Sequence, residues 1–325
     1  MASAALDRDQ GCGQVGHFAS AHPAGRGAIE KLYATVVGPI AEKRTRGAWY
    51  RQWRLVSLDG STFDVADTAE NEKVYGRPGA SRGSSAYPKI RFVSLLENGT
   101  HVLWAACMDK YQTDEITLAS RVVPALRKGM LCLADRFFPG YDLWRKAAQT
   151  GADLLWRVRK NARLEVDRRL ADGSYLSGTY RSTSDRRNGR KAQVVRVIEY
   201  RLKDVPGAES IYRLITTILD PKLAPAKELA ALYHERWEIE TALDELKTHL
   251  RGAQIVLRSK TPELVQQEFY GLLMAHFAIR GLMHEAALQA NEDPDRLSFV
   301  HTVHVVQRRL PRCVAIPPSA QESLS

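Results

Sequence analysis

The sequence predicts an α/β fold, and three observations carry that reading. Residues 130–134, MLCLA, are a short unbroken apolar run, the pattern of a strand buried on both faces. Asn98-Gly99 separates two apolar runs, 87–97 and 99–108, and marks a hairpin. Residues 225–252 and 261–288 carry helical periodicity long enough to cover a sheet.

Taken in order, residues 1–27 are small, polar and Gly-rich and read as a poorly ordered leader. Residues 28–40 suit a short helix with Ile29, Leu32, Tyr33 and Val36 on one side. Aromatic and branched residues over 49–59 make a strand that ends at the turn signal Asp59-Gly60-Ser61. Residues 61–86 read as a long loop. Their run GRPGASRGSS lacks the Gly-Lys-Ser/Thr end and following helix of a P-loop. After the hairpin come a helix over 115–128, the strand 130–134 ending at Asp135, a helix over 141–150 and a strand over 154–158.

Alternating segments then appear around Asp172-Gly173 and Asn188-Gly189, followed by a strand over 211–219. Together they form a small antiparallel β insertion that departs from the α/β alternation. The expected division is therefore a core of 28–158, a basic β-rich insertion with a return strand over 159–222, a helical second part of the core over 223–310, and a flexible tail over 311–325. Pro225 and Gly252 bound the first long helix, and Thr261-Pro262 opens the second.

Composition narrows the function. Hydrophobic content of 44% and charged content of 26% in 325 residues are ordinary for a globular chain. No apolar run reaches about 18 residues and no apolar core follows the N-terminal charges, so neither a membrane span nor a signal peptide is expected and the protein should be intracellular. Cys12, Cys107, Cys132 and Cys313 are far apart, which argues against a disulfide framework or a zinc knuckle. The net charge is +10, and residues 157–203 hold 14 Lys or Arg against 5 Asp or Glu. So localised an excess points to a polyanion, with nucleic acid first.

The chemistry gathers on residues 233–247, YHERWEIETALDELK. At about 100° per residue, Tyr233, Arg236, Glu240 and Lys247 fall within about 60° of arc, beside an apolar stripe of Leu232, Ile239, Leu243, Leu246 and Leu250. Spacing alone also fits an amphipathic helix with charged rungs. Asp59 and Asp135 at strand ends add two carboxylates to Glu240. Such a group needs cations, and hard oxygen donors suit two Mg²⁺ or Mn²⁺ ions acting on a phosphodiester. Asp64 and Asp67 rival Asp59 but lie past the turn, and Asp142 suits solvent or a helix cap. Glu235 and Glu238 point away from Arg236 and read as surface charges, whereas Asp244 suits a place behind Glu240. Trp237 suits either base stacking or packing. His301 and His304 lack a third ligand, and His234 and His249 read as surface residues.

The set LDGS at Asp59, LADRFFPGYDLW at Asp135, and Y-x2-R-x3-E-x6-K at Tyr233, Arg236, Glu240 and Lys247 resembles the insertion-sequence DDE transposases of the YREK group. The resemblance spans roughly 29–310. It implies an RNase H-like mixed-sheet core interrupted by the β insertion and followed by long C-terminal helices. Asp59, Asp135 and Glu240 would be its catalytic metal ligands. Arg236 and Lys247 would contact transposon-end phosphates, and Tyr233 would position the strand near the cut. It further implies cutting of transposon ends and joining of their 3′-hydroxyls to target DNA by a homodimer in the bacterial cytoplasm, at the nucleoid. Arg186, Arg187, Arg190 and Lys191 of the insertion are the expected further DNA contacts. Family members usually have a longer helical N-terminal region and continue further at the C-terminus, so the alternative reading is a truncated, non-catalytic DNA-binding remnant. A host nuclease of the same fold, hydrolysing without strand transfer, is a third.

Overall fold

A computed structural model describes residues 27–80, 83–84, 87–189, 192–202, 211–251 and 256–313. The leader residues 1–26, the tail residues 314–325, and Arg190 and Lys191 of the insertion lie outside them. Helix α1 (Ala28–Val36) precedes the short strand β1 (Trp49–Tyr50) and the long strand β2 (Trp53–Val65). Then follow α2 (Ala69–Tyr75), a small pair β3 (Gly79–Ala80) and β4 (Gly83–Ser84), and the hairpin β5 (Lys89–Glu97) and β6 (Val102–Lys110). Much of the loop expected over 61–86 is therefore regular structure. Strand β2 runs through the supposed turn at Asp59-Gly60-Ser61, because Val56 to Asp64 all pair with β5. Gly60 serves close approach rather than turning: a Cβ there would sit 3.0 Å from the Phe92 carbonyl oxygen.

Helix α3 (Glu115–Val122) leads to β7 (Met130–Ala134), α4 (Tyr141–Ala148) and β8 (Asp153–Val158). Strand β7 pairs parallel with β2 on one side and with β8 on the other. The order β6-β5-β2-β7-β8, three antiparallel strands joined to two parallel ones, is the RNase H-like mixed sheet. Strand β7 shows why MLCLA is apolar throughout. Leu131 and Leu133 pack with Trp53, Leu155 and Leu229 on one face, while Cys132 and Ala134 pack with Leu58, Phe92 and Trp156 on the other.

The insertion supplies β9 (Arg168–Arg169), β10 (Tyr175–Thr179), the short helix α5 (Thr183–Arg187), β11 (Gln193–Tyr200) and β12 (Tyr212–Thr216). These strands are antiparallel, as alternation predicts. They also prolong the main sheet, since β12 pairs with β8 and the order continues β12-β11-β10-β9. The insertion is tied to the next helix as well: Asp172 pairs with buried Arg196 and accepts a hydrogen bond from Ala226 N at 2.8 Å.

The expected helix 225–252 is broken into α6 (Ala226–Leu232), a 3₁₀ turn Tyr233–Arg236, α7 (Trp237–Asp244) and a π turn Glu245–His249. Leu229 and Tyr233 pack on one face of the sheet, whereas Ile239, Leu243 and Leu246 join the core on the other. The chain thus passes over the strand ends between Tyr233 and Ile239. Strand β13 (Val256–Leu257), α8 (Pro262–Ala290), a 3₁₀ turn Pro294–Arg296 and α9 (Phe299–Cys313) complete the fold. Among the described residues no helix is long and apolar enough to cross a membrane.

One glycine gives a stability test. Gly99 has φ +78°, and a Cβ there would lie 2.5 Å from the Arg46 carbonyl oxygen and 2.6 Å from Ala48 N. Gly99→Ala is expected to destabilise the fold by roughly 3 kcal/mol, through left-handed strain and a backbone clash. Thermal melting checks this, and an unchanged midpoint would mean that residues 46–48 move aside freely.

Candidate active site

Parallel pairing of β2 with β7 ends at Leu58 opposite Ala134. The next residues, Asp59 and Asp135, therefore emerge side by side where the parallel ladder between the two strands stops. Strand β7 parts from β2 there, whereas β5 stays paired with β2 as far as Asp64. Asp59 lies within β2 rather than at a strand end as expected, but it stands where the parallel ladder stops.

The environment makes both acids costly to ionise. Burial pushes the Asp59 carboxyl up to about 7, and the neighbouring acids Asp135 and Glu115 add to this, while the Gly60 amide and the Arg236 charge oppose it. Burial likewise raises Asp135, against the hydrogen bond from Phe137 N at 2.8 Å and the charge of Arg236. Arg236 ties the third acid in. Its Nη1 is 3.5 Å from Asp59 Oδ2, and its Nη2 donates to Glu240 Oε1 at 2.9 Å. Arg236 is itself only 11% exposed while Glu240 is 44% exposed, so the guanidinium is an internal bridge and Glu240 the accessible arm. Asp59, Asp135 and Glu240 are thus gathered, two by backbone register and one through Arg236.

The remaining stripe residues separate by depth. Tyr233 is 6% exposed and its hydroxyl donates to the Ala134 carbonyl at 3.3 Å, immediately before Asp135. Lys247 Nζ donates to Ser61 Oγ at 3.0 Å, and Ser61 shares a face of β2 with Asp59. The four are not on one regular helix as expected. Tyr233 and Arg236 lie in the 3₁₀ turn, Glu240 in α7 and Lys247 in the π turn, where Leu250 N reaches Glu245 O at 2.8 Å. Overwinding before α7 and underwinding after it oppose each other, so the stripe stays on the sheet side.

Other expectations are corrected. Glu238, read as a surface charge, is 11% exposed and accepts from Gly99 N at 2.5 Å, because the β5–β6 loop covers that side of α7. Glu235 is exposed as expected. Asp244 is turned outward to Thr248 and His249, not placed behind Glu240. Trp237 is 59% exposed, which removes the packing role and leaves its ring beside Arg236. Glu115 was missed: it sits in the first turn of α3 as an ordinary helix-start acid, and only the fold carries it to Asp59.

In the insertion, Arg186 and Arg187 line a groove of about 710 Å³ against α4, together with Tyr141, Tyr180 and Arg163. Arg186 is ion-paired to Glu165. Not all of the basic excess faces solvent, since Arg196 is fully buried on Ser174 and the Ala224 carbonyl.

Residues 52–278 match the family described as transposase DDE domain. The chain is 29% identical over 259 residues to the transposase InsG for insertion sequence element IS4 of Escherichia coli (strain K12), covering 79% of this chain and 58% of that protein. It is 29% identical over 117 residues to the InsZ protein of the same strain, covering 36% of this chain and 39% of that protein. The chain therefore spans little more than half the length of the first of these relatives. A cryo-EM structure of a piggyBac transposase synaptic complex with hairpin DNA aligns with a TM-score of 0.47 at 12% identity, over 81% of this chain and 54% of that one. With more than half of its residues inside the family match, and with the acids of the sheet and the bridging helix falling within it, the chain belongs to the DDE-domain transposases of insertion sequences.

Proposed function

We propose that this chain is a metal-dependent DNA transposase of the YREK group, cleaving transposon-end DNA and transferring the 3′-hydroxyl ends into target DNA. The observation that carries the reading is the emergence of Asp59 and Asp135 side by side, both burdened by burial, under an arginine that reaches Glu240. The donor set fits two Mg²⁺ or Mn²⁺ ions: every oxygen is a hard carboxylate donor, and a buried guanidinium already supplies positive charge to Asp59. Bound there, the ions supply polarisation of the phosphodiester and activation of the attacking water or 3′-hydroxyl.

The chain's own residues do the rest. Asp59 and Asp135 form a rigid floor because each follows a paired strand residue. Glu240 closes the set from the helix. Arg236 and Lys247 hold backbone phosphates as they hold Asp59 and Ser61 here. Tyr233 acts from behind, fixing the Ala134–Asp135 backbone, so its effect on the DNA strand is exerted through Asp135. Trp237 offers an open ring for an unpaired base. The assembly is a homodimer on paired transposon ends in the bacterial cytoplasm.

Cleavage of end-containing DNA with Mg²⁺ tests this. Asp135→Ala and Glu240→Ala are expected to abolish product, and full activity in either sinks the site assignment. Binding without any cleavage by the parent chain would instead favour the non-catalytic DNA-binding reading, and hydrolysis without strand-joined product the nuclease reading. For the insertion, neutralising Arg186, Arg187, Arg190 and Lys191 together is expected to reduce the slope of log affinity against log salt by about 0.9 for each phosphate left without its cation. Anisotropy titrations at several salt concentrations measure it, and an unchanged slope moves the DNA path elsewhere.

A further inference from the structure

Outside the Asp59 crevice, three elements meet on the far side of α7. The loop between β5 and β6 brings His101, α7 brings Glu238, and the 3₁₀ turn after α8 brings Asp295. One donor atom from each lies within 4.8 Å of the other two. His101 is 4% exposed, and its Nε2 makes no hydrogen bond among the described residues. That nitrogen nonetheless faces Asp295 Oδ1 at 3.2 Å and Glu238 Oε2 at 3.7 Å. A buried imidazole nitrogen with no hydrogen bond, aimed between two carboxylates, is placed to share a cation with them, although Glu238 Oε2 also accepts from Gly99 N.

The geometry points to a second cation site, distinct from the Asp59 crevice, in which His101 Nε2, Glu238 and Asp295 hold one divalent transition-metal ion of the Zn²⁺ type. An imidazole with two carboxylates leaves a coordination position open to water, and the partly exposed Asp295 gives a path to solvent. The ring is supported from behind. Its Nδ1 is 3.6 Å from Glu245 Oε1, and Glu245 is held by Arg280 and by His276 Nε2 at 3.2 Å. A carboxylate behind a histidine is the usual support of a metal-bound ring. In the ion-free ring Arg280 Nη2 meets Nδ1. With the ion on Nε2 the ring proton sits on Nδ1, facing Glu245 Oε1, and Arg280 Nη2 turns from Nδ1 to Glu245, which it already meets.

The ion would lock the β5–β6 loop and the end of α8 to the helix that bears Glu240, two residues from Glu238. It acts by positioning, and it is independent of what the Asp59 crevice does.

The test uses the full chain carrying Asp59→Asn and Asp135→Asn, stripped with chelator and titrated with Zn²⁺ by calorimetry, with Co²⁺ absorption as a second probe. Expected are one equivalent of Zn²⁺, a visible Co²⁺ spectrum and a raised thermal midpoint. Adding Asp295→Asn, a surface-turn change, should weaken Zn²⁺ at least about tenfold, and Glu238→Gln should do the same with the parent circular dichroism retained. Absence of saturable Zn²⁺ binding, or affinity unchanged by either substitution, overturns the site. Neither result bears on cleavage at Asp59.

Discussion

Asp59→Asn is expected to eliminate Mg²⁺-dependent DNA cleavage, by at least about a thousandfold, while making the metal-free protein harder to melt. The two effects share one cause. Burial lifts this carboxyl from 3.8 to about 7, so between those values the folded chain holds a proton that the unfolded chain has released. Stability conferred by that proton is complete below about pH 4 and declines as pH rises toward 7. At about pH 8 in chelator the parent carries the full penalty, at most about 4 kcal/mol by the pKa difference and less once the site relaxes. Asparagine removes the charge. The measurement is a thermal midpoint for parent and variant at pH 4 and pH 8 with chelator present. A variant no more stable than the parent at pH 8 would show that Arg236 already neutralises Asp59 fully. Divalent cation should reverse the order, stabilising only the parent.

The largest stability loss is expected from Glu245→Ala. Glu245 is 5% exposed, accepts from Arg280 Nε at 2.9 Å and meets His276 Nε2 at 3.2 Å, while Arg280 is 2% exposed. Truncation leaves a guanidinium buried without its carboxylate, a defect of roughly 3–5 kcal/mol. At 2–4 °C per kcal/mol for a chain of this size class, the midpoint should fall by about 10 °C. Burial works against the Glu245 charge, yet hydrogen bonds from His101 and His276 and the charge of Arg280 prevail and hold the carboxyl well below its ordinary value. The sign follows: this stabilisation is present above about pH 4.5 and is lost as pH falls below it. The gap between parent and Glu245→Gln should therefore narrow in acid. A constant gap from pH 7 to about pH 3 would contradict that account.

Much of this was legible in the chain. MLCLA is strand β7 to the residue, because a run apolar at every position must be covered on both faces. The segment 233–247 was readable because its polar stripe and apolar stripe are adjacent. What failed was what pairing partners decide. Asp59-Gly60-Ser61 has turn composition, but β5 claims it, and glycine is there to admit the Phe92 carbonyl. Angular placement on a helix shows where Glu238 points, not that the β5–β6 loop lies there. Glu115 reaches Asp59 only through the fold, with no spacing to announce it. The basic excess of residues 157–203 was real, but charge counting does not distinguish an exposed arginine from Arg196, which is fully buried in the insertion's own scaffold.

The continuity of β8 with β12 bears on how this protein can be altered. A designer who excises residues 159–222 to obtain a minimal core would expose the hydrogen-bonding edge of β8, where Leu155 to Val158 now pair with β12. That edge would present unpaired backbone groups beside Leu155, Trp156 and Val158, a template for another copy's strand. The insertion acts as an edge guard as well as the proposed surface for DNA, and shortening it is expected to yield aggregates before it yields an inactive monomer.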